Sequence, residues 1–139
     1  MNDNLNTNQD VVTTILIADD DEDILALVNR ALSESGYEVL LARDGATALA
    51  TARERKPVLA LLDIAMPAPD GYEVTAALKS DPATKDTIVI LFTARSEASD
   101  VERGYEVGAD DYIMKPFTLK TLQSRVLAAL EQGTGAAKN

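Results

Sequence analysis

The sequence contains no cysteine and no histidine. The first absence excludes a disulfide framework and a thiolate nucleophile, and the second excludes an imidazole base or metal ligand. Any chemistry therefore runs on carboxylates, hydroxyls, lysines, backbone amides or a bound ion. Positive charge is also scarce. Thirteen Lys and Arg stand against 23 Asp and Glu, a net charge of -10 that argues against a nucleic-acid-binding surface. Long apolar runs are missing too. The longest reach about five residues, where a membrane span needs roughly 20. The opening "MNDNLNTNQD" has neither a basic n-region nor an apolar h-region, so no secretory signal is read and the expected location is cytoplasmic.

What is present suits one domain: 139 residues, of which 46% are apolar, are enough to bury a core. Residues 1–12 are polar and aperiodic and are expected to form a flexible tail. The end, "EQGTGAAKN", makes 133–139 a second tail or the start of a linker. Between them, 13–132 alternate regularly. Short apolar runs at Ile15–Ala18, Tyr37–Leu41, Val58–Leu62, Ile88–Phe92 and Asp110–Met114 predict strands. The first, third and fourth are apolar throughout, as strands buried on both faces of a parallel sheet are. Helical spacing fills the gaps. It predicts helices over 22–35 (stripe Ile24, Leu27, Val28, Ala31, Leu32), 45–55 (Ala48, Leu49, Ala52) and 71–79 (Val74, Ala77, Leu78). Two more are predicted over 97–107 (Val101, Tyr105, Val107) and 118–131 (Leu119, Leu122, Val126, Ala129, Leu130). The fold class is α/β, a doubly wound (βα)5 parallel sheet of flavodoxin-like type with expected strand order 2-1-3-4-5.

In such sheets the site lies beyond the carboxyl ends of the strands. Asp19 and Asp20 follow the first strand, Asp63 the third, Thr93 the fourth and Lys115 the fifth. The second is followed by "ARDG", which offers no comparable chemistry. Asp19 to Asp23 form an unbroken acidic run. Acids in a helix's first turn meet the positive end of its dipole and cap its free amides, which accounts for Asp21, Glu22 and Asp23. Asp19 and Asp20 leave the strand before the helix begins. An EF-hand loop is excluded, because Ile24 and Arg30 stand where it needs Gly and Glu. Asp63 is not a helix cap either, since "DIAMPAPDG" moves the cap to Asp70. A hard divalent cation suits these carboxylates. With Lys115 and Thr93 nearby the set fits phosphoryl chemistry, Asp63 serving as the oxygen nucleophile.

The ordered motifs "ILIADDD", "LLDIAMPAPDGYEV", "IVILFTA" and "GADDYIMKPF" resemble the receiver domain of bacterial two-component response regulators, of the chemotaxis-regulator-like, phospho-aspartate kind. The resemblance implies that Asp63 is the phospho-acceptor. Asp19, Asp20, Asp63 and the Ala65 backbone carbonyl would bind Mg2+, with Mn2+ as a substitute. It further implies that Thr93 and Lys115 read the phosphoryl group, that the Lys115–Pro116 peptide is cis, and that Tyr112 is the aromatic that follows phosphorylation. The alternative for Tyr112 is a half-buried strand residue with its hydroxyl in water. The implied partners are a sensor histidine kinase or histidine phosphotransfer protein, and a downstream protein target or a second copy of the chain. No nucleic acid or membrane partner is implied. The implied function is a switch rather than a turnover enzyme, promoting its own phosphotransfer and slow dephosphorylation. Two departures stand out. Pro69 replaces a bulky apolar residue, and Ala18 a larger aliphatic one; Ala65, Ala94 and Arg95 would tune the loss of phosphate. Two other readings compete. An aspartate-nucleophile phosphatase needs an acid two residues after its nucleophile, where Ala65 stands. A phosphorylation-independent interaction module would be expected to have lost one of the acids, Thr93 or Lys115, and none is missing.

Overall fold

A computed structural model describes residues 12–138; the expected N-terminal tail lies almost wholly outside them. Five strands alternate with five helices. The strands are β1 (Thr14–Ala18), β2 (Glu38–Ala42), β3 (Leu59–Leu62), β4 (Ile88–Thr93) and β5 (Asp111–Met114). The helices are α1 (Glu22–Glu34), α2 (Gly45–Arg55), α3 (Gly71–Ser80), α4 (Ala98–Glu106) and α5 (Leu119–Lys138). All strand pairs are parallel, in the expected order β2-β1-β3-β4-β5. The three strands that are apolar throughout are the three central ones, whereas β2 and β5, each carrying an acid, form the edges.

Strand alternation divides the core in two. Ile15, Ile17, Leu59, Leu61, Ile90, Phe92 and Ile113 face α1 and α5, meeting Leu25, Val28, Leu32, Leu122 and Val126. Leu16, Ala18, Ala60, Leu62, Val89, Leu91 and Tyr112 face the other way, onto α2, α3 and α4. Small residues (Ala48, Ala52) let α2 lie close to the sheet. Asp21, Asp44 and Asp70 cap α1, α2 and α3, Asp70 through a capping box with Glu73. Asp21 accepts from the Asp23 and Ile24 amides, at 2.9 and 3.4 Å.

Four details depart from the sequence pattern. In α1 the buried stripe runs through Leu25, not Leu27, which is 46% exposed. The apolar residues 24, 25, 27 and 28 span a wider arc than the sheet covers, and the crossing of α1 over β1 selects Leu25. Replacing Leu25 by Ala should therefore cost about 2–4 kcal/mol, and Leu27→Ala no more than about 0.5 kcal/mol. Thermal melts of the two variants check this; equal losses would misplace the helix face. In α3, Tyr72 and Thr75 are buried with Val74 and Leu78. In α4, Tyr105 points to solvent and Gly104 is buried instead. Finally, α5 runs on to Lys138 through the residues expected as a tail or linker. Gly133 rests against Ile88, and that packing offsets glycine's poor helix propensity. Among the described residues no helix is long and apolar enough to cross a membrane.

Candidate functional site

The sheet carries Asp19, Asp63 and Lys115 one step past its carboxyl edge and holds them by continuing its own hydrogen-bond ladder. The Asp19 N–H donates to the Ala42 carbonyl (3.1 Å), that of Asp63 to Ala18 (2.9 Å) and that of Lys115 to Thr93 (2.8 Å). Each backbone is thus fixed against its neighbouring strand, and the side chains project from a rigid edge rather than a loop. One carboxylate oxygen each from Asp19, Asp20 and Asp63 lies within 4.8 Å of the others. Asp19 is fully buried and Asp63 only 5% exposed, whereas Asp20 is exposed.

Among the described residues one cation pairs with two of these carboxylates. The Lys115 ammonium lies 2.7 Å from Asp19 Oδ2, 3.7 Å from Asp63 Oδ2 and 5.0 Å over the Phe92 ring. Asp19 also accepts from the Asp21 amide (2.9 Å), so both of its oxygens are engaged. Asp63 is less well satisfied. Burial, and then the neighbouring Asp19 carboxylate, push it above the ordinary carboxylate range. Lys115, the Ala65 amide at 3.4 Å and the Thr93 hydroxyl pull it the other way. Asp20 makes no hydrogen bond or ion pair among the described residues. The cluster thus keeps surplus negative charge on oxygen donors alone, two of them buried. That donor set fits a hard divalent cation, which takes carboxylates, carbonyls and waters.

Comparison with known proteins places the chain. The model of the response regulator receiver domain matches residues 15–127. The chain belongs to that family. It is 46% identical over 118 residues to the transcriptional regulatory protein PrrA of Mycobacterium tuberculosis, covering 85% of this chain and 50% of the relative. It is 43% identical over 119 residues to the phosphate regulon transcriptional regulatory protein PhoB of Pseudomonas aeruginosa, covering 86% and 52%. This receiver domain spans about half the length of the curated relatives it matches. Among solved structures, a CheY-like response regulator receiver domain protein from Methanospirillum hungatei superposes with TM-score 0.86 at 28% identity, covering 91% of this chain and 99% of the other.

Beside the carboxylates the receiver domain places its remaining expected residues. Thr93 is buried at the end of β4, and the Arg95 amide donates to its hydroxyl at 3.4 Å. The Lys115–Pro116 peptide is cis, as is Ala68–Pro69. Tyr112 differs from the half-exposed alternative. It is buried against the α4 side of the sheet and donates its hydroxyl to the Arg95 carbonyl at 2.7 Å. Burial first, then Tyr72 beside it, raise its pKa well above the usual phenol range.

Two partnerships had no obvious signal in the sequence. Arg43, in the "ARDG" turn after β2, forms an ion pair with Glu22, tying that turn to the start of α1. Glu22 therefore does more than sit in a helix's first turn. Tyr72 is the second. It falls outside the apolar stripe read for α3, yet it is 1% exposed and its hydroxyl donates to the Asp100 carbonyl at 3.0 Å. Its position directly after Gly71 was the available clue. A side chain at Gly71 would place its Cβ 2.5 Å from the Asp63 carbonyl oxygen, so α3 begins in close contact with the Asp63 backbone.

Proposed function

We propose that this receiver domain is a phosphorylation-activated switch whose phospho-acceptor is Asp63. The observation that carries the reading is one buried carboxylate, held above its usual pKa, sharing an oxygen-only cluster with Asp19 and Asp20 and facing the Lys115 ammonium. The donor is a phosphohistidine on a sensor histidine kinase or a histidine phosphotransfer protein. An Asp63 carboxylate oxygen forms a bond to phosphorus as the phosphorus–nitrogen bond breaks, and the imidazole leaves with the electron pair and takes up a proton. Lys115 balances the charge of the transferred group, and Thr93 donates its hydroxyl to a phosphoryl oxygen. Asp19, Asp20, Asp63 and the Ala65 carbonyl would hold Mg2+, or Mn2+ in its place. When bound, the ion supplies the positive charge that Lys115 alone does not.

The chain's own response follows from packing. The structure already holds Tyr112 inward on the Arg95 carbonyl; Thr93 drawn towards the phosphoryl group locks that placement by widening the space beside the ring, and the surface of α4, β5 and α5 is set in one shape. That surface then binds a downstream protein or a second copy of the chain. The relatives named as transcriptional regulators are consistent with such an output. The switch acts in the cytoplasm, by contact with proteins.

The test is direct. Incubated with Mg2+ and a small phosphodonor, the protein should gain one phosphoryl group, mapped by peptide mass to the segment containing Asp63. No gain, or a gain elsewhere, overturns the assignment.

A further inference from the structure

Two tyrosine hydroxyls converge on the segment that leads from Thr93 into the first turn of α4. Tyr112 donates to the carbonyl of Arg95 at 2.7 Å, and Tyr72 donates to the carbonyl of Asp100, in the first turn of α4, at 3.0 Å. Their hydroxyls also lie close enough to affect one another. Both rings are nearly fully buried, but they stand on different elements, Tyr112 on β5 and Tyr72 on α3. The Arg103 guanidinium, one turn along α4, stacks over the Tyr72 ring at 4.3 Å, and that of Arg95 lies 6.0 Å from it. Tyr72 therefore holds α4 through a hydrogen bond and the Arg103 cation–π contact together.

At its other end Tyr72 is tied to the phospho-acceptor. The preceding Gly71 donates its N–H to the Ile64 carbonyl at 3.1 Å and packs directly on the Asp63 backbone. Gly104 makes the arrangement possible from the α4 side. A Cβ there would lie 3.0 Å from both Leu91 and the Tyr112 ring, so a glycine leaves the room that the inward Tyr112 occupies.

We infer that Tyr72 is a positioning residue of the switch, a second aromatic that with Tyr112 clasps residues 95–100 and sets α4 relative to Asp63. The inference rests on the phospho-acceptor reading of Asp63 and adds a route to it. A change at Asp63 reaches α4 through Thr93 and Tyr112 on one side, and through Gly71 and Tyr72 on the other. If Tyr72 only filled the core, its hydroxyl bond would satisfy a buried donor and affect stability alone.

The experiment compares wild type, Tyr72→Phe, Tyr112→Phe and the double variant by hydrogen exchange over residues 98–106, with and without phosphodonor and Mg2+. Removing one hydroxyl keeps the ring and the fold. In Tyr72→Phe, labelling at Asp63 should proceed within about twofold of wild type, while the phosphorylation-dependent change in α4 exchange shrinks about threefold or more. The double variant should lose less than the sum of the single losses, because the two hydroxyls hold one segment. A Tyr72→Phe response equal to wild type overturns the inference, and so do strictly additive losses. Wild-type protein that takes no label overturns the phospho-acceptor reading instead. The clasp is then judged on unphosphorylated protein, where additive Tm losses for Tyr72→Phe and Tyr112→Phe overturn it.

Discussion

Asp63→Asn should take no detectable phosphoryl group from a small phosphodonor, and in metal-free buffer at neutral pH it should melt higher than wild type. The first effect follows from the nucleophile, since an amide oxygen carries no charge to direct at phosphorus. The second follows from the cluster. Three carboxylates lie within 4.8 Å, with one ammonium between two of them. Neutralising Asp63 relieves its burial and its repulsion from Asp19, while Lys115 keeps its closer partner, Asp19. A gain of about 1 kcal/mol, roughly 3–5 °C in Tm, is expected.

The sign of the pH dependence makes this specific. Asp63 has a raised pKa in the folded chain, so the destabilising contribution of its charge is relieved as pH falls through that raised value. The advantage of Asp63→Asn should therefore be greatest near neutral pH and vanish below the ordinary carboxylate range, where both side chains are uncharged. Thermal melts across that window check it. An advantage that persists in acid would point to packing rather than charge, and label retained in Asp63→Asn would move the acceptor elsewhere.

Withdrawing divalent cations should slow labelling of Asp63 roughly 100-fold or more, because the positive charge lost is worth several kcal/mol to the transferred phosphoryl group. The same cation should stabilise the resting protein. At ten times its dissociation constant Mg2+ should add about 1.4 kcal/mol, since the folded cluster would hold it and the unfolded chain does not assemble one. Asp20→Asn is the informative variant. Asp20 is exposed, and its loss disturbs no hydrogen bond among the described residues, whereas removing Asp19 would strip Lys115 of its closer partner and the Asp21 amide of its acceptor. The metal-free Tm of Asp20→Asn should thus stay near wild type while most of the Mg2+-dependent rise disappears. A full Mg2+ response in this variant would place the ion away from these carboxylates.

These expectations rest on a candidate site whose members stand at or just after the strand ends in the sequence, and the structure brings them together for a physical reason. In a parallel sheet every strand points the same way, so residues adjacent in sequence to strand ends become neighbours in space, and the ladder bonds of Asp19, Asp63 and Lys115 hold them there. The central strands were legible as well, since burial on both faces leaves no place for a polar residue in the middle of β1, β3 or β4, and Thr93 comes only at the closing end. Other features were illegible because they depend on which of several apolar residues a neighbour covers. Leu25 and Leu27 are equivalent as letters, and only the crossing of α1 over the sheet separates them. Tyr72 reads as an aromatic at a helix start until α4 arrives with a carbonyl and an arginine.

The sequence by itself determined the alternation of elements, the strands at the centre, the caps at Asp21 and Asp70, and the chemical inventory at the carboxyl edge. All of these follow from periodicity and chain adjacency, which are local. Tertiary structure alone decided that Lys115 sits closer to Asp19 than to Asp63, that Asp63 is left raised and short of positive charge, and that Tyr112 turns inward to meet Tyr72 over residues 95–100. Those outcomes are set by distances between groups far apart in the chain. The acidic run that begins at Asp19 shows the division within consecutive residues: Asp21 caps a helix that its own segment forms, whereas Asp19 and Asp20 complete a site only when β3 and β5 bring Asp63 and Lys115 beside them.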